Sequence, residues 1–99
     1  MTAIDVRRTR AWRKLRDQVV EEEPDCRLGY EGICTGKSET ADHINHVETH
    51  PHLALERTNL RGACHPCNWH RGPRTDAQVT AGVGSAPRAR ALDIFKPLP

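Results

Sequence analysis

Two short stretches of the sequence contain side chains suited to chemistry on a phosphate. The stretch ADHINH places Asp42 directly before His43, and the stretch ACHPCNWHRG places Asn68 after a C-x-x-C pair, with Arg71 three positions later. Carboxylate and amide oxygens are hard donors for Mg²⁺ or Mn²⁺, an imidazole accepts a proton near neutral pH, and a guanidinium neutralises phosphate charge. This combination predicts metal-dependent hydrolysis of a phosphodiester, with His43 activating the water.

Taken singly, these residues have simpler explanations. His43 is consistent with a hydrogen-bonded surface histidine, Asp42 with a turn or cap residue, Asn68 with a helix N-cap and Arg71 with surface charge. The order and spacing of the whole set, rather than any one residue, carries the prediction.

Four cysteines provide a means of fixing the second stretch in space; they are Cys26, Cys34, Cys64 and Cys67. The C-x-x-C spacing lets two thiolates bind one tetrahedral ion, and the wider first pair can be bridged by a glycine-containing loop. Four thiolates make a closed zinc site, which is structural rather than catalytic. Two disulfides and four unrelated thiols are the alternatives.

Size and composition favour the zinc interpretation. The chain has 99 residues, 36% of them hydrophobic, and only four aromatic side chains, so its core must be thin and a metal would stabilise it. The sequence has no apolar run of membrane-span length and no signal-peptide core behind its basic N-terminus. We therefore expect an intracellular protein without a membrane partner, in a compartment where thiols stay reduced.

Charge is unevenly distributed, although the net charge is only +2. Residues 7–16, RRTRAWRKLR, contain six basic side chains and no acidic one. Such a block predicts a phosphate-bearing partner, and a solvated helix face is the competing interpretation. The residues expected to contact DNA are Arg7, Arg8, Arg10, Arg13 and Lys14.

The elements that must position these groups can be read from capping and periodicity. Thr9 is placed to cap a helix that runs to about Glu23 and is closed by Pro24. Its apolar positions at helical spacing are Trp12, Leu15 and Val19. Glycines around the first two cysteines predict a turn-rich knuckle over residues 25–40.

Two strands and a second helix should follow the knuckle. Residues 41–47 are expected to form a strand with Ile44 facing inward, and residues 59–64 the second strand or its turn. The loop between them should carry Leu53 and Leu55 towards the core. A helix is predicted to begin at about residues 66–68, because proline suits a first turn, and Gly72-Pro73 should end it.

The combined motif resembles that of the HNH endonucleases. In that family a D-H pair lies on the first strand, a central Asn follows, and a final His or Asn comes after a C-x-x-C. The corresponding residues here are DH at 42–43, NL at 59–60 and CHPCNWHRG at 64–72, an H-N-N version. The resemblance covers residues 20–75. It implies an α+β fold, namely a small ββα-metal (HNH) core with an N-terminal helix and a four-cysteine zinc knuckle.

The resemblance also implies a role for each matching residue. His43 corresponds to the general base, and Asp42 and Asn68 to the ligands of a catalytic Mg²⁺ or Mn²⁺. Asn59 matches the central Asn, which holds the loop between the strands and helps to orient the base. Arg71 stands where the H-N-N branch of the family has Lys. Arginine keeps the positive charge of that position but has a wider, forked shape. The four cysteines match the structural zinc site of the family.

Small, stand-alone members of the family occur in bacteriophages. This implies the host cytoplasm as the compartment, and DNA, the terminase large subunit and other packaging proteins as partners. We predict a single nuclease domain over residues 1–80, with a basic helix at 1–23, the zinc-stapled core at 24–80 and a flexible linker and tail at 81–99. Trp69 is expected in the core or as a wedge behind the metal site, and His70 as a phosphate contact or surface residue. A non-catalytic zinc module that binds nucleic acid or protein is the alternative function.

Overall fold

The first helix forms where the sequence predicts it. The computed structural model of the chain describes residues 6–82, and helix α1 spans Arg10–Glu22. The Oγ1 atom of Thr9 accepts a hydrogen bond from the Trp12 N–H at 3.1 Å, which confirms the predicted N-cap. Most of the predicted linker and tail, residues 83–99, lies outside the described residues.

A two-stranded antiparallel sheet follows, made of β1 (Thr40–His43) and β2 (Leu60–Ala63). The register pairs Asp42 with Arg61 and His43 with Leu60. The first strand is shorter than predicted, and the inward position expected for Ile44 is wrong, because that side chain is 37% exposed. The chain turns away after His43, although the Ile44 N–H still donates to the Asn59 carbonyl at 2.8 Å.

The connection between the strands contains two short 3₁₀ turns, Pro51–Leu53 and Arg57–Asn59. Leu53 is half-buried, but the predicted burial of Leu55 is wrong, since it is 47% exposed. The 3₁₀ turn directs Ala54 inward instead, where it packs with Val47 and Val6.

Helix α1 covers one face of the sheet. Trp12 and Val19 of the helix form a buried cluster with Ala41 of β1 and Leu60 of β2. Leu15 packs at the edge of this cluster. The apolar spacing read from the sequence therefore does mark the buried side of the helix.

Close contact between α1 and β2 depends on a glycine. The Gly62 N–H donates to Oε1 of Glu23 at 2.8 Å. A Cβ atom at position 62 would lie only 2.5 Å from the Glu23 carbonyl oxygen and 2.4 Å from Oγ of Ser38. Arg57 strengthens the same junction, because its Nη2 donates to Glu23 at 3.0 Å. These contacts hold the start of the cysteine-containing knuckle against the second strand.

Helix α2 spans His65–Arg71, as expected, and ends at Gly72, whose φ of 56° favours glycine. Helix α3 spans Asp76–Ala81 and was not foreseen from the sequence; Thr75 and Gln78 form a capping box at its start. Residues 6–82 thus form a small α+β fold with three helices and a two-stranded sheet. Strands β1 and β2 and helix α2 follow one another along the chain in β-β-α order. None of these helices has the length and apolar character needed to span a bilayer.

Candidate active site and metal centre

The four cysteines lie together, as the sequence predicts. Their Sγ atoms are all within 4.8 Å of one another, and none of the four thiols forms a disulfide. Zinc–thiolate bonds of about 2.3 Å in a tetrahedron require sulfur–sulfur separations of about 3.8 Å, so a small contraction of this cluster accommodates the ion. The cluster therefore fits a structural zinc site, and the two-disulfide alternative finds no support in it.

Backbone amides surround the sulfur atoms. The Thr35 N–H lies 3.5 Å from Sγ of Cys64, the Cys67 N–H lies 3.4 Å from the same sulfur, and the Gly36 N–H lies 3.3 Å from Sγ of Cys34. Burial raises the pKa of the Cys64 thiol, but the amide donors outweigh burial and lower that pKa to about 6. Thiolate is the form that binds metal, so these amides favour the metal-binding form of Cys64, whereas burial raises the pKa of Cys67.

The cysteine cluster fixes the beginning of α2. Cys64 is the N-cap of that helix and Cys67 lies in its first turn. Asn68 follows directly, and its N–H donates to the Cys64 carbonyl at 3.0 Å. His70 packs α2 onto the knuckle, since its ring meets that of Tyr30 edge-on with centroids 5.2 Å apart. The knuckle thus determines where Asn68 lies.

An open cleft of about 320 Å³ lies where α2 meets β1. Asp42, His43 and Asn68, three of the residues singled out from the sequence, line it together. Arg7 lines it as well, whereas Asn59 and Arg71 do not. Its wall is completed by Trp12, Thr40, Ala41, His46, Trp69, Gly72 and Pro73.

The ring of His43 is held in one orientation. Its Nε2 lies 3.0 Å from the Ala54 carbonyl oxygen, and its ring stacks on Trp12 with centroids 4.9 Å apart and planes 16° apart. Because a carbonyl only accepts hydrogen bonds, Nε2 carries the proton of the neutral ring and Nδ1 keeps its lone pair. Burial lowers the pKa of His43, with Arg7 acting in the same direction. The imidazole is therefore neutral near pH 7, as a general base must be.

Asn59 ties down the loop that supplies this carbonyl. Its Oδ1 accepts from the Asn45 backbone N–H at 2.9 Å, and its Nδ2 donates to the carbonyls of Asn45 at 3.1 Å and Leu53 at 3.3 Å. Leu53 immediately precedes Ala54, so Asn59 acts on His43 through the loop. This is the geometry of a positioning residue: Asn59 is buried and does not line the cleft.

Asp42 is more constrained than a free metal ligand. Its Oδ2 accepts from Nε of Arg61 at 2.9 Å and from Nη1 of Arg71 at 3.2 Å, while Oδ1 accepts from Arg71 at 3.1 Å. The carboxylate is only 3% exposed. The Arg61 contact follows from the register, which sets the two residues opposite each other.

Arg71 does not make the phosphate contact that the sequence predicts. It is 1% exposed, and each of its three guanidinium nitrogens donates within the protein. Nη1 donates to the His43 carbonyl at 2.7 Å and Nη2 to the Ile44 carbonyl at 2.7 Å. Arg71 thus holds the end of β1 against α2, which makes it a positioning residue. Arginine rather than lysine suits this role because its planar fork serves several acceptors at once.

Asp76 supports the site through two arginines and was not singled out from the sequence. It accepts from both terminal nitrogens of Arg61, at 2.7 and 3.0 Å, and from Nε of Arg71 at 2.9 Å. Two arginines and two carboxylates therefore form a network of zero net charge behind the cleft. The Arg61 hydrogen bond lowers the pKa of Asp76. One signal in the sequence indicates the helix that carries Asp76: T-D-A-Q at 75–78 has the Ser/Thr-x-x-Glu/Gln spacing of a capping box.

Asn68 is the cleft residue with an uncommitted amide. Within residues 6–82 its carboxamide makes no hydrogen bond, and the side chain is half-buried at the cleft. Asp42 Oδ1 accepts one hydrogen bond and retains a lone pair. The donor types therefore fit a hard divalent cation held by Asn68 and, through Oδ1, by Asp42.

The basic block lies on the outside of the molecule. Arg7, Arg8, Arg10, Arg13 and Lys14 are all exposed, and of these five only Arg7 lines the cleft. Trp69 is 41% exposed at the same cleft, so its predicted core position is wrong. His70, in contrast, packs on Tyr30 and does not line the cleft.

Comparison with known proteins returned no relative. No protein-family model matches the chain, and neither a curated protein nor a solved structure matches it.

Proposed function

We propose that this protein is a metal-dependent endonuclease of the HNH type, which hydrolyses DNA phosphodiester bonds. The observation that carries the proposal is that the neutral, oriented His43 and the uncommitted amide of Asn68 line the same cleft, which the guanidinium of Arg7 also lines. A pure binding module has no evident use for an imidazole whose Nδ1 is kept unprotonated beside hard oxygen donors. The β-β-α order and the adjacent cysteine cluster also support it.

In this proposal His43 removes a proton from the attacking water. Nε2 stays bonded to the Ala54 carbonyl, which stabilises the positive charge that the ring acquires, while Nδ1 takes the proton. Asn59 and Arg71 keep the ring in place from two sides, the first through the loop and the second through the His43 carbonyl. Arg7 contacts the phosphate backbone and favours its entry into the cleft.

A divalent cation held by Asn68 and Asp42 would supply Lewis-acid polarisation of the phosphate and charge stabilisation at the leaving oxygen. Asp76 contributes indirectly, because its negative charge offsets part of the positive charge of Arg61 and Arg71, which would otherwise repel a cation from Asp42. The zinc at the four cysteines would serve the fold alone.

The resemblance extends the proposal to the biological setting. We propose an intracellular protein of phage origin that acts on DNA and cooperates with the terminase large subunit or other packaging proteins. One cleft per chain suits the cutting of one strand at a time, so relaxed circles should form before linear DNA.

Supercoiled plasmid provides the test. We expect the zinc-loaded protein to convert it to relaxed circles when Mg²⁺ or Mn²⁺ is added, and to leave it supercoiled in the absence of added ion, because His43 alone lacks stabilisation of the leaving oxygen. Gel electrophoresis with a panel of divalent ions measures the conversion. Supercoiled DNA that persists with every ion would contradict the proposal.

One observation favours a non-catalytic zinc module as the second candidate. Asp42 is held by two guanidinium groups, which is how a structural carboxylate is usually satisfied. That function predicts a mobility shift of DNA without any nicking. The two candidates are therefore separated on one gel, provided that binding and cleavage are measured on the same protein sample.

A further inference from the structure

Trp69 is an exposed aromatic side chain at the cleft. It follows Asn68 on α2, is 41% exposed and lines the same cleft as His43 and Arg7. A single exposed apolar residue is ordinary, but its place beside the candidate catalytic groups is not. Within the described part of the chain no other aromatic ring stacks on it, whereas the ring of Trp12 is stacked on His43. The indole is therefore partly exposed at the cleft and is not covered by another ring of the described residues.

The surroundings of Trp69 indicate the chemistry of that ligand. Arg7 gives the cleft a positive charge, and the other exposed basic residues of 7–16 extend that charge along α1. A partner that satisfies both features carries phosphates together with a flat π-face. Nucleotides combine the two, and proteins bind single strands by stacking bases on aromatic side chains beside a basic groove.

We propose that Trp69 and Arg7 form a nucleobase-stacking subsite, which takes an unpaired base next to the phosphate in the cleft. The reason for an unpaired base is geometric, because the faces of bases within a duplex are covered by their neighbours. The substrate class is therefore single-stranded or locally unpaired DNA. That this base flanks the scissile bond rests on the proposed function, while the binding itself does not.

Tryptophan fluorescence tests the subsite without hydrolysis. Zinc-loaded protein without added Mg²⁺ or Mn²⁺ is titrated with a mixed-sequence single strand and with a duplex of the same length. Trp12 is buried but also lines the cleft, so the Trp69→Leu protein, which keeps Trp12, is titrated in parallel and the quenching lost in it is assigned to Trp69. We expect saturable quenching by the single strand and at least about tenfold weaker binding of the duplex. Equal or tighter binding of the duplex would overturn the substrate class.

Variants separate stacking from general adhesion. Trp69→Leu should weaken single-strand binding about tenfold, measured by anisotropy of a labelled strand, and Trp69→Phe should retain most of it. Leu55→Ser is the matched control, because Leu55 is an exposed apolar residue outside the cleft and its replacement should leave affinity unchanged. Unchanged affinity in Trp69→Leu would overturn the subsite. Normal stacking without any nicking would instead remove the proposed nuclease activity and leave the subsite intact.

Discussion

Replacing His43 by alanine should lower the nicking rate by about 100- to 10,000-fold, the contribution of a positioned general base. No other imidazole can substitute, because only His43 combines the Ala54 hydrogen bond with stacking on Trp12. The rate of plasmid relaxation measures the loss. Zinc content and the circular dichroism spectrum should stay at wild-type values, since His43 is remote from the cysteines in sequence and makes no bond to them.

His52→Ala is the matched control for that variant. His52 is exposed and does not line the cleft, so its loss should leave the rate unchanged. A His43→Ala protein that nicks at the wild-type rate would remove His43 as the base and with it the proposed mechanism.

The same residue gives the reaction its expected pH dependence. Burial lowers the pKa of His43 from its ordinary value near 6.5. The rate should therefore rise with pH through that lowered value and be level by pH 7. The free energy of unfolding changes with pH in the same direction, because the native state favours the neutral ring. This contribution to stability is complete above pH 6.5 and is lost as the pH falls towards the pKa of His43 in the folded protein. His46→Gln should keep this acid limb, although His46 lines the same cleft.

Removing the zinc should unfold the protein. Structural zinc contributes about 10–16 kcal/mol of apparent binding free energy in small zinc domains, which matches or exceeds the about 5–15 kcal/mol that holds an ordinary domain together. The apolar core of residues 6–82 is small, with one cluster built on Trp12 and Val19 and another on Val47. Chelation should abolish the cooperative thermal transition, and re-addition of zinc should restore it.

Single cysteine variants refine that prediction. Cys34→Ser, at a half-buried ligand, and Cys67→Ser, at a buried one, should both lose zinc, because each removes one of four donors. Thiol titration of the stripped wild-type protein should return four reactive groups, whereas a disulfide framework would return none. A stripped protein that keeps the melting temperature of the loaded one would contradict the zinc assignment.

Local features of the sequence were sufficient to predict the elements whose formation depends only on residues close together in the chain. Helix α1 could be predicted because Thr9 caps it and Trp12 and Val19 recur on one face. The cysteine cluster could be predicted because C-x-x-C spacing itself brings two sulfur atoms together. Gly72 ends α2 for the similarly local reason that it adopts a positive φ.

Features that depend on register and packing could not be predicted in this way. The burial of Arg71 follows from the carbonyls of His43 and Ile44, which reach it only once β1 lies against α2. The role of Asp76 requires α3 to return towards the sheet and meet Arg61. The predicted burial of Leu55 is wrong because a 3₁₀ turn, which the hydrophobic pattern does not indicate, buries its neighbour Ala54 and leaves Leu55 exposed.

Asn68 connects the helix that begins at the cysteine cluster with the cleft, and its replacement tests the proposed function most directly. We expect the zinc-loaded Asn68→Ala protein to nick plasmid at least about 100-fold more slowly than wild type. Replacing a residue that only supports a metal ligand typically costs about 10- to 100-fold, so a larger loss indicates a direct ligand. Gln18→Ala, an exposed amide outside the cleft, should cut normally. Measured with Mn²⁺ on samples of equal zinc content, that loss would support a cleft completed by the amide. An Asn68→Ala protein as fast as wild type would contradict it.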